Sequence, residues 1–199
     1  RAPVVEDSPR ARLIRAVAAH RRAGAVPAAP ELRAGDVTVP LPGGADSAAA
    51  RATLHVVVGA LAAAAATTTA PTGSTQPTGL SPDAVRSLGA AWFAPDGNAP
   101  RPPAALVELA GAVPVADPHL FERGDIVAVR RPQQPDYVGV FWARHVDDDG
   151  RTRLLCWPPL AEASAGTPGA QGGLAAFTLA EGDAAERITA VRLAGRAAE

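Results

Sequence analysis

The run Tyr137-Val138-Gly139-Val140-Phe141-Trp142-Ala143-Arg144-His145-Val146, Asp147-Asp148-Asp149-Gly150, Arg151-Thr152-Arg153-Leu154-Leu155-Cys156-Trp157 has the composition of a β-hairpin. Both arms are rich in β-branched and aromatic residues, and an Asp-Gly step sits between them, where a tight turn needs residues that tolerate positive φ. Alternation predicts Val138, Val140 and Trp142 on one face of the first arm and Tyr137, Gly139 and Phe141 on the other. Just upstream, Gly124-Asp125 leads into Ile126-Val127-Ala128-Val129-Arg130-Arg131, a short apolar run expected to pair with the hairpin. Pro132 to Pro135 is then a connecting loop. A last strand is expected over Arg187 to Leu193, after a Gly/Ala/Pro-rich loop at Ser164 to Gly173.

Towards the N-terminus the apolar period lengthens from two residues to that of a helix. Leu13, Ile14 and Val17 predict a helix over Arg10 to Ala23, with Ser8 as N-cap, Pro9 in its first turn and Gly24 as its stop. Leu54, Val57, Val58 and Leu61 predict a second helix, capped by Asp46 or Ser47 and running to about Ala66. The proline-punctuated segment Ala25 to Gly44 is read as the connection between them. Ser81-Pro82-Asp83 starts a third helix bearing Val85, Leu88, Trp92 and Phe93, and a fourth covers Pro103 to Ala110 with Gly111 as its stop. Helices first and a small antiparallel sheet second make the fold class α+β. The Thr/Pro/Gly-rich stretch 67–82 is too polar to bury a core of its own. It divides the chain into a helical segment at 1–66, a linker or long loop at 67–82 and a domain at 83–199.

Composition narrows the function. The 199 residues carry 19 basic and 20 acidic side chains for a net charge of −1, so no overall field gathers nucleic acid or anionic lipid. All the basic residues are Arg and there is no Met, a pattern expected of a GC-rich bacterial coding bias rather than of phosphate recognition. About half of the hydrophobic share is Ala, which buries little area per residue. The most apolar run, Ala48 to Ala66, contains Arg51 and His55 and is mostly Ala, so no membrane span is expected. One Cys excludes an intrachain disulfide, and four scattered His lack zinc-site spacing, so neither metal nor cofactor is expected. A start at Arg1 rather than Met is expected of a processed or truncated product. Phosphate-loop, dinucleotide, zinc-protease and serine-hydrolase motifs are absent.

The most informative order spans Ala90 to Trp157. It runs from Ala90-Ala91-Trp92-Phe93-Ala94 on a helix and Gly97-Asn98-Ala99 to a further helix, the Gly124-Asp125 strand, Tyr137-Val138-Gly139-Val140 and Leu154-Leu155-Cys156-Trp157. This order resembles the papain-like CHAP and NlpC/P60 superfamily of cell-wall amidases and endopeptidases, and Glu186 to Leu193 looks like the closing strand of those domains. In that family a Cys at a helix start is made nucleophilic by the helix and a neighbouring His, which then protonates the leaving amine. The resemblance places the nucleophile at Ala90, the base at Tyr137 and the orienting residue at Cys156 or Trp157. It therefore implies a papain-like fold whose catalytic roles are vacant, a pseudoenzyme that binds or scaffolds. Its ligand would be peptidoglycan or a protein partner, in a secreted or periplasmic setting. Trp92 and Tyr137 are the expected ligand contacts, across a cleft between the Ala90 helix and the Tyr137 strand.

Other constellations of reactive side chains are present. Cys156 and His145 lie on facing arms of the hairpin and could pair as nucleophile and base, but a strand Cys among apolar neighbours behaves as a small hydrophobe. Asp147 to Asp149 could hold calcium, although consecutive residues on an extended chain point apart and a solvated turn explains them. Asp117 and His119 flank Pro118 without a third group, and His55 is read as a helix-surface or core-edge residue. Two further functions stay open: an SH3-like β module serving as a structural subunit, and an active hydrolase using residues not recognised in the sequence.

Overall fold

The computed structural model describes residues 8–27, 29–34, 37–43, 47–67, 80–93, 101–131, 136–159, 173–179 and 188–194. Ala94, the Gly97-Asn98-Ala99 step, most of the 67–82 stretch, the Pro132 to Pro135 loop, residues 164–172, Glu186 and Arg187, all used in reading the sequence, lie outside the described residues, as does Asp46.

Helix α1 spans Pro9–Ala23 and starts as its sequence dictates: Ser8 Oγ accepts from the Ala11 N–H at 3.1 Å, and Pro9 occupies the first turn. It stops at Gly24, whose φ of 63° is left-handed, with His20, Arg21 and Arg22 set against the negative end of the helix dipole. Helix α2 covers Ala48–Thr67, α3 covers Pro82–Trp92 with Ser81 as N-cap, and α4 covers Arg101–Ala110 before Gly111 at φ 61°.

Between α1 and α2 the sequence reading is corrected. Residues 25–44 are not only a connection, because β1 (Glu31–Ala34) and β2 (Val37–Pro40) form an antiparallel hairpin, with Leu32 facing Val39. Leu32 and Val37 are buried in the main core. The prolines stand outside the paired interior or at its end, where no ladder N–H is lost.

The main sheet has six antiparallel strands in the order β3-β8-β4-β5-β6-β7, where β3 is Val113–Val115, β4 Ile126–Val129, β5 Tyr137–Val146, β6 Thr152–Trp157, β7 Ala175–Thr178 and β8 Ile188–Arg192. The expected hairpin is β5–β6, and β4 pairs with β5 from Ile126↔Val140 to Val129↔Tyr137. The class is α+β, as the element order implied. The short edge strands β3 and β7 went unseen in the sequence. Among the described residues β3 and β7 do not pair with each other, so the sheet does not close into a barrel.

The alternation of β5 sorts the core into two. Val138 and Val140 join Leu54, Val57, Leu88, Trp92, Leu106 and Trp157 in the larger cluster, beneath the helices. Tyr137 and Phe141 join Phe121, Val127, Val129, Cys156 and Ile188 in a second cluster on the opposite side of the sheet. A bulge between Phe141 and Ala143 makes room for Trp142, whose ring lies under the guanidinium groups of Arg21 at 4.7 Å and Arg123 at 4.6 Å.

Segment 1–66 shares the larger cluster with 83–199: Leu13, Val17 and Leu54 pack there with Ile126 and Val191. At the other end of α1, Arg10 donates to the Arg123 carbonyl and pairs with Glu122 at 2.8 Å. The Thr53 hydroxyl lies 3.0 Å from the Val138 carbonyl, fixing α2 directly to the central strand.

Candidate functional site

The three positions to which the resemblance assigns catalytic roles do not converge. Ala90 is exposed and sits two residues from the C-terminal end of α3, where the helix dipole disfavours an anion. Helix α3 packs on α4, on the β1–β2 hairpin and on α2. The Trp92 ring is buried in the larger cluster and donates from Nε1 to the Ala50 carbonyl at 3.0 Å. Tyr137 lies in the other cluster, 1% exposed, and its hydroxyl donates to the Pro158 carbonyl at 2.8 Å. The cleft expected to bring Trp92 and Tyr137 to one ligand is therefore not formed. The sequence places both rings on apolar faces but cannot say that those faces belong to opposite sides of one sheet.

The helix that meets the Tyr137 strand is α2. Its first turn contributes Ala49 to the cluster holding Tyr137 and Cys156, and Thr53 one turn later reaches Val138. Reading from sequence missed this, because the Trp92-Phe93 pair drew the match to α3. At the start of α2, Ser47 Oγ lies 3.1 Å from the Pro42 carbonyl and 3.0 Å from that of Gly43, and accepts from Arg51 Nη1 at 2.7 Å.

Tyr137 and Cys156 are brought together on adjacent strands, and both stay protonated. Burial pushes the Tyr137 phenol well above its ordinary value, with the nearby thiol adding to it, and burial pushes the Cys156 thiol far up as well. Cys156 stands opposite Phe141 while His145 stands opposite Arg153 and is exposed, so the alternative Cys156–His145 pairing, disfavoured by the sequence, does not occur. Their spacing around the turn offsets them by several residue pairs.

A soluble aromatic disulfide is accordingly expected to leave Cys156 unmodified in the native chain at neutral pH and to titrate one thiol after denaturation. Prompt labelling of the folded chain would refute the burial. The same groups set a sign for alkaline stability. The unfolded chain ionises these groups near their ordinary values of 9.0 and 10.0 while the native chain holds both protons. Their contribution is complete below that range and is lost progressively as pH rises above it towards the raised native values, so the thermal midpoint falls in alkali.

The remaining candidates take structural roles. Asp147 Oδ1 accepts from the Arg151 N–H at 2.8 Å and Oδ2 pairs with Arg153 at 2.9 Å, which holds the carboxyl below its usual range and closes the hairpin turn. Asp117 Oδ1 accepts from the His119 N–H and caps the 3-10 turn Pro118–Leu120. Asp125 is fully buried, accepts Arg192 Nε and Nη2 at 2.8 Å each, and also takes the Glu122 N–H. This carboxylate anchors β8 to the start of β4. Among the described residues no three His, Cys, Asp or Glu side chains group to hold a metal, and no helix is long and apolar enough to cross a membrane.

A concave surface lies elsewhere, between α1 and α2. It has a volume of about 490 Å³ and is lined by Arg12, Arg15, His20 and His55 around small residues such as Gly59 and Ala60. His20 stacks on Trp157 with centroids 5.7 Å apart, and His55 Nε2 lies 3.2 Å from the Ala29 carbonyl. The sequence shows Arg12, Arg15 and His20 on one predicted helix and His55 on the next. What a sequence cannot show is that the two faces adjoin. Compared with known proteins, the chain matches no family model, no curated protein and no solved structure.

Proposed function

We propose that this chain is a non-catalytic binding or scaffolding domain, related in its sheet half to the papain-like cell-wall hydrolases and recognising a peptidoglycan fragment or a protein partner. The observation that carries the proposal is the chemistry where α2 meets the Tyr137 strand. The groups there are an alanine methyl, a phenol hydrogen-bonded to Pro158 and a buried thiol. None is a thiolate or an imidazole, and the described His side chains stand elsewhere. The peptidoglycan ligand and the extracytoplasmic setting enter through the sequence resemblance alone.

The test is an assay on purified peptidoglycan. The chain is expected to sediment with it, or to capture a partner protein, while releasing no new amino groups above a heat-denatured control. Release that disappears in Cys156→Ala or Ser47→Ala would overturn the proposal and identify the nucleophile.

A further inference from the structure

We propose that the chain forms a two-fold homodimer through the outer edge of β7, which pairs with the β7 of a second copy and joins the two sheets into one. The inference goes beyond the reading of the chain as a binding domain and stands whether or not that reading does.

A strand at the edge of a sheet presents a row of backbone donors and acceptors, and chains that stay apart guard it with charge, Pro or a bulge. One edge of the main sheet has such a guard, because Pro114 removes a donor from the short strand β3. The other edge has none. The run Leu174-Ala175-Ala176-Phe177-Thr178-Leu179 contains no charged residue and no Pro, in a chain of which 20% is charged. Among the described residues no strand pairs with the outer side of β7.

The register decides which groups stand on that side. Leu179 donates to the Thr152 carbonyl at 2.9 Å, and along the same ladder Phe177 faces Leu154 and Ala175 faces Cys156. In an antiparallel pair the hydrogen-bonded positions recur at every second residue, so Ala175, Phe177 and Leu179 spend their peptide groups on β6. The N–H and C=O of Ala176 and Thr178 therefore point away from β6.

This edge is complementary to itself. A two-fold axis at Phe177 sets Ala176 opposite Thr178 of the second copy and Thr178 opposite its Ala176, each pair exchanging both N–H···O=C bonds. The two Phe177 rings meet at the axis, on the face where each lies 4.6 Å from Tyr137 between centroids. Cross-strand aromatic pairs at such a position are favourable, and with no charge in the run no like charges are brought together. The same lack of charge selects a second copy over an acidic or basic partner strand, which would find no counter-charge on β7.

Sedimentation velocity of the full chain from roughly 10 μM to 1 mM should show the mean mass rising towards twice that of one chain, as expected of a small interface. Ala176→Pro removes an outward N–H and leaves the ladder to β6 intact, so association should weaken at least about tenfold. Charge supplies a second arm, independent of any strain from the Pro ring. Ala176→Lys combined with Thr178→Lys sets ammonium groups opposite each other across the axis and should keep the chain monomeric. Ala176→Lys combined with Thr178→Asp sets opposite charges there and should restore association to within about threefold of the parent.

A parent that stays monomeric over the whole range overturns the proposal and leaves the edge to a strand of another sequence. It is overturned equally if the two-lysine variant associates as the parent does, because the interface then lies elsewhere. A Lys/Asp variant as monomeric as the two-lysine one also overturns it, because Ala176 then does not face Thr178.

Discussion

Gly139→Ala is expected to destabilise the fold by about 3 kcal/mol, lowering the thermal midpoint by roughly 6–12 °C in a chain of this size. Glycine is ordinarily a weak strand residue, and replacing it with alanine in a sheet interior should help rather than harm. Here the Tyr137 ring leans along β5 and covers Gly139, the next residue on the same face, so an added Cβ would overlap the ring and its hydroxyl. The ring has little room to yield. It sits 4.6 Å from the Phe177 centroid and is tied by its hydroxyl to the Pro158 carbonyl. Thermal unfolding of Gly139→Ala, Tyr137→Ala and the double variant gives the coupling. In the Tyr137→Ala background the glycine substitution should become neutral or stabilising. An equal cost in both backgrounds would show that the ring is not what excludes a side chain from position 139.

The second large effect is expected at Asp125. Asp125→Ala should cost about 3 kcal/mol, the lower end for breaking a buried pair, because Arg192 keeps 28% of its side chain exposed and can recover part of its hydration. The carboxylate accepts three N–H groups, two from Arg192 and one from Glu122, and ties β8 to the loop that begins β4. Around it, Arg192 also donates to the Leu120 carbonyl, and Glu122 pairs with Arg10 of α1, so the cluster joins three parts of the chain. A cycle with Arg192→Ala should show coupling of about 1 kcal/mol or more, measured by denaturant midpoint. If Asp125→Ala unfolds within about 0.5 kcal/mol of the parent, the cluster contributes geometry without stability.

These two sites also mark the reach of sequence reasoning. Gly124-Asp125 was legible as the entry to a strand, and Tyr137 and Gly139 as residues of one face. That Asp125 would meet Arg192, 67 residues on, depends on β8 returning beside β4, and the register Ile126↔Val191 decides it. The candidate ligand residues Trp92 and Tyr137 were legible as large apolar side chains, but their assignment to one cleft needed the arrangement of layers.

Local chemistry by itself determined a good deal. Ser8-Pro9 with Gly24 and Ser81-Pro82 set the helix limits, because caps satisfy backbone groups within a few residues of themselves. The Asp-Gly step set the β5–β6 hairpin, and alternation along β5 set its two faces, since side-chain direction is a property of the strand alone. Only the tertiary structure decided that α2 rather than α3 meets the Tyr137 strand, that β1 and β2 pair against the core, and that Arg12 and Arg15 of α1 line one concave surface with His55. Those outcomes depend on which apolar surfaces bury one another. The hydrophobic effect rewards buried area without direction, so several pairings of the same stripes satisfy the sequence, and close packing of the whole chain selects among them.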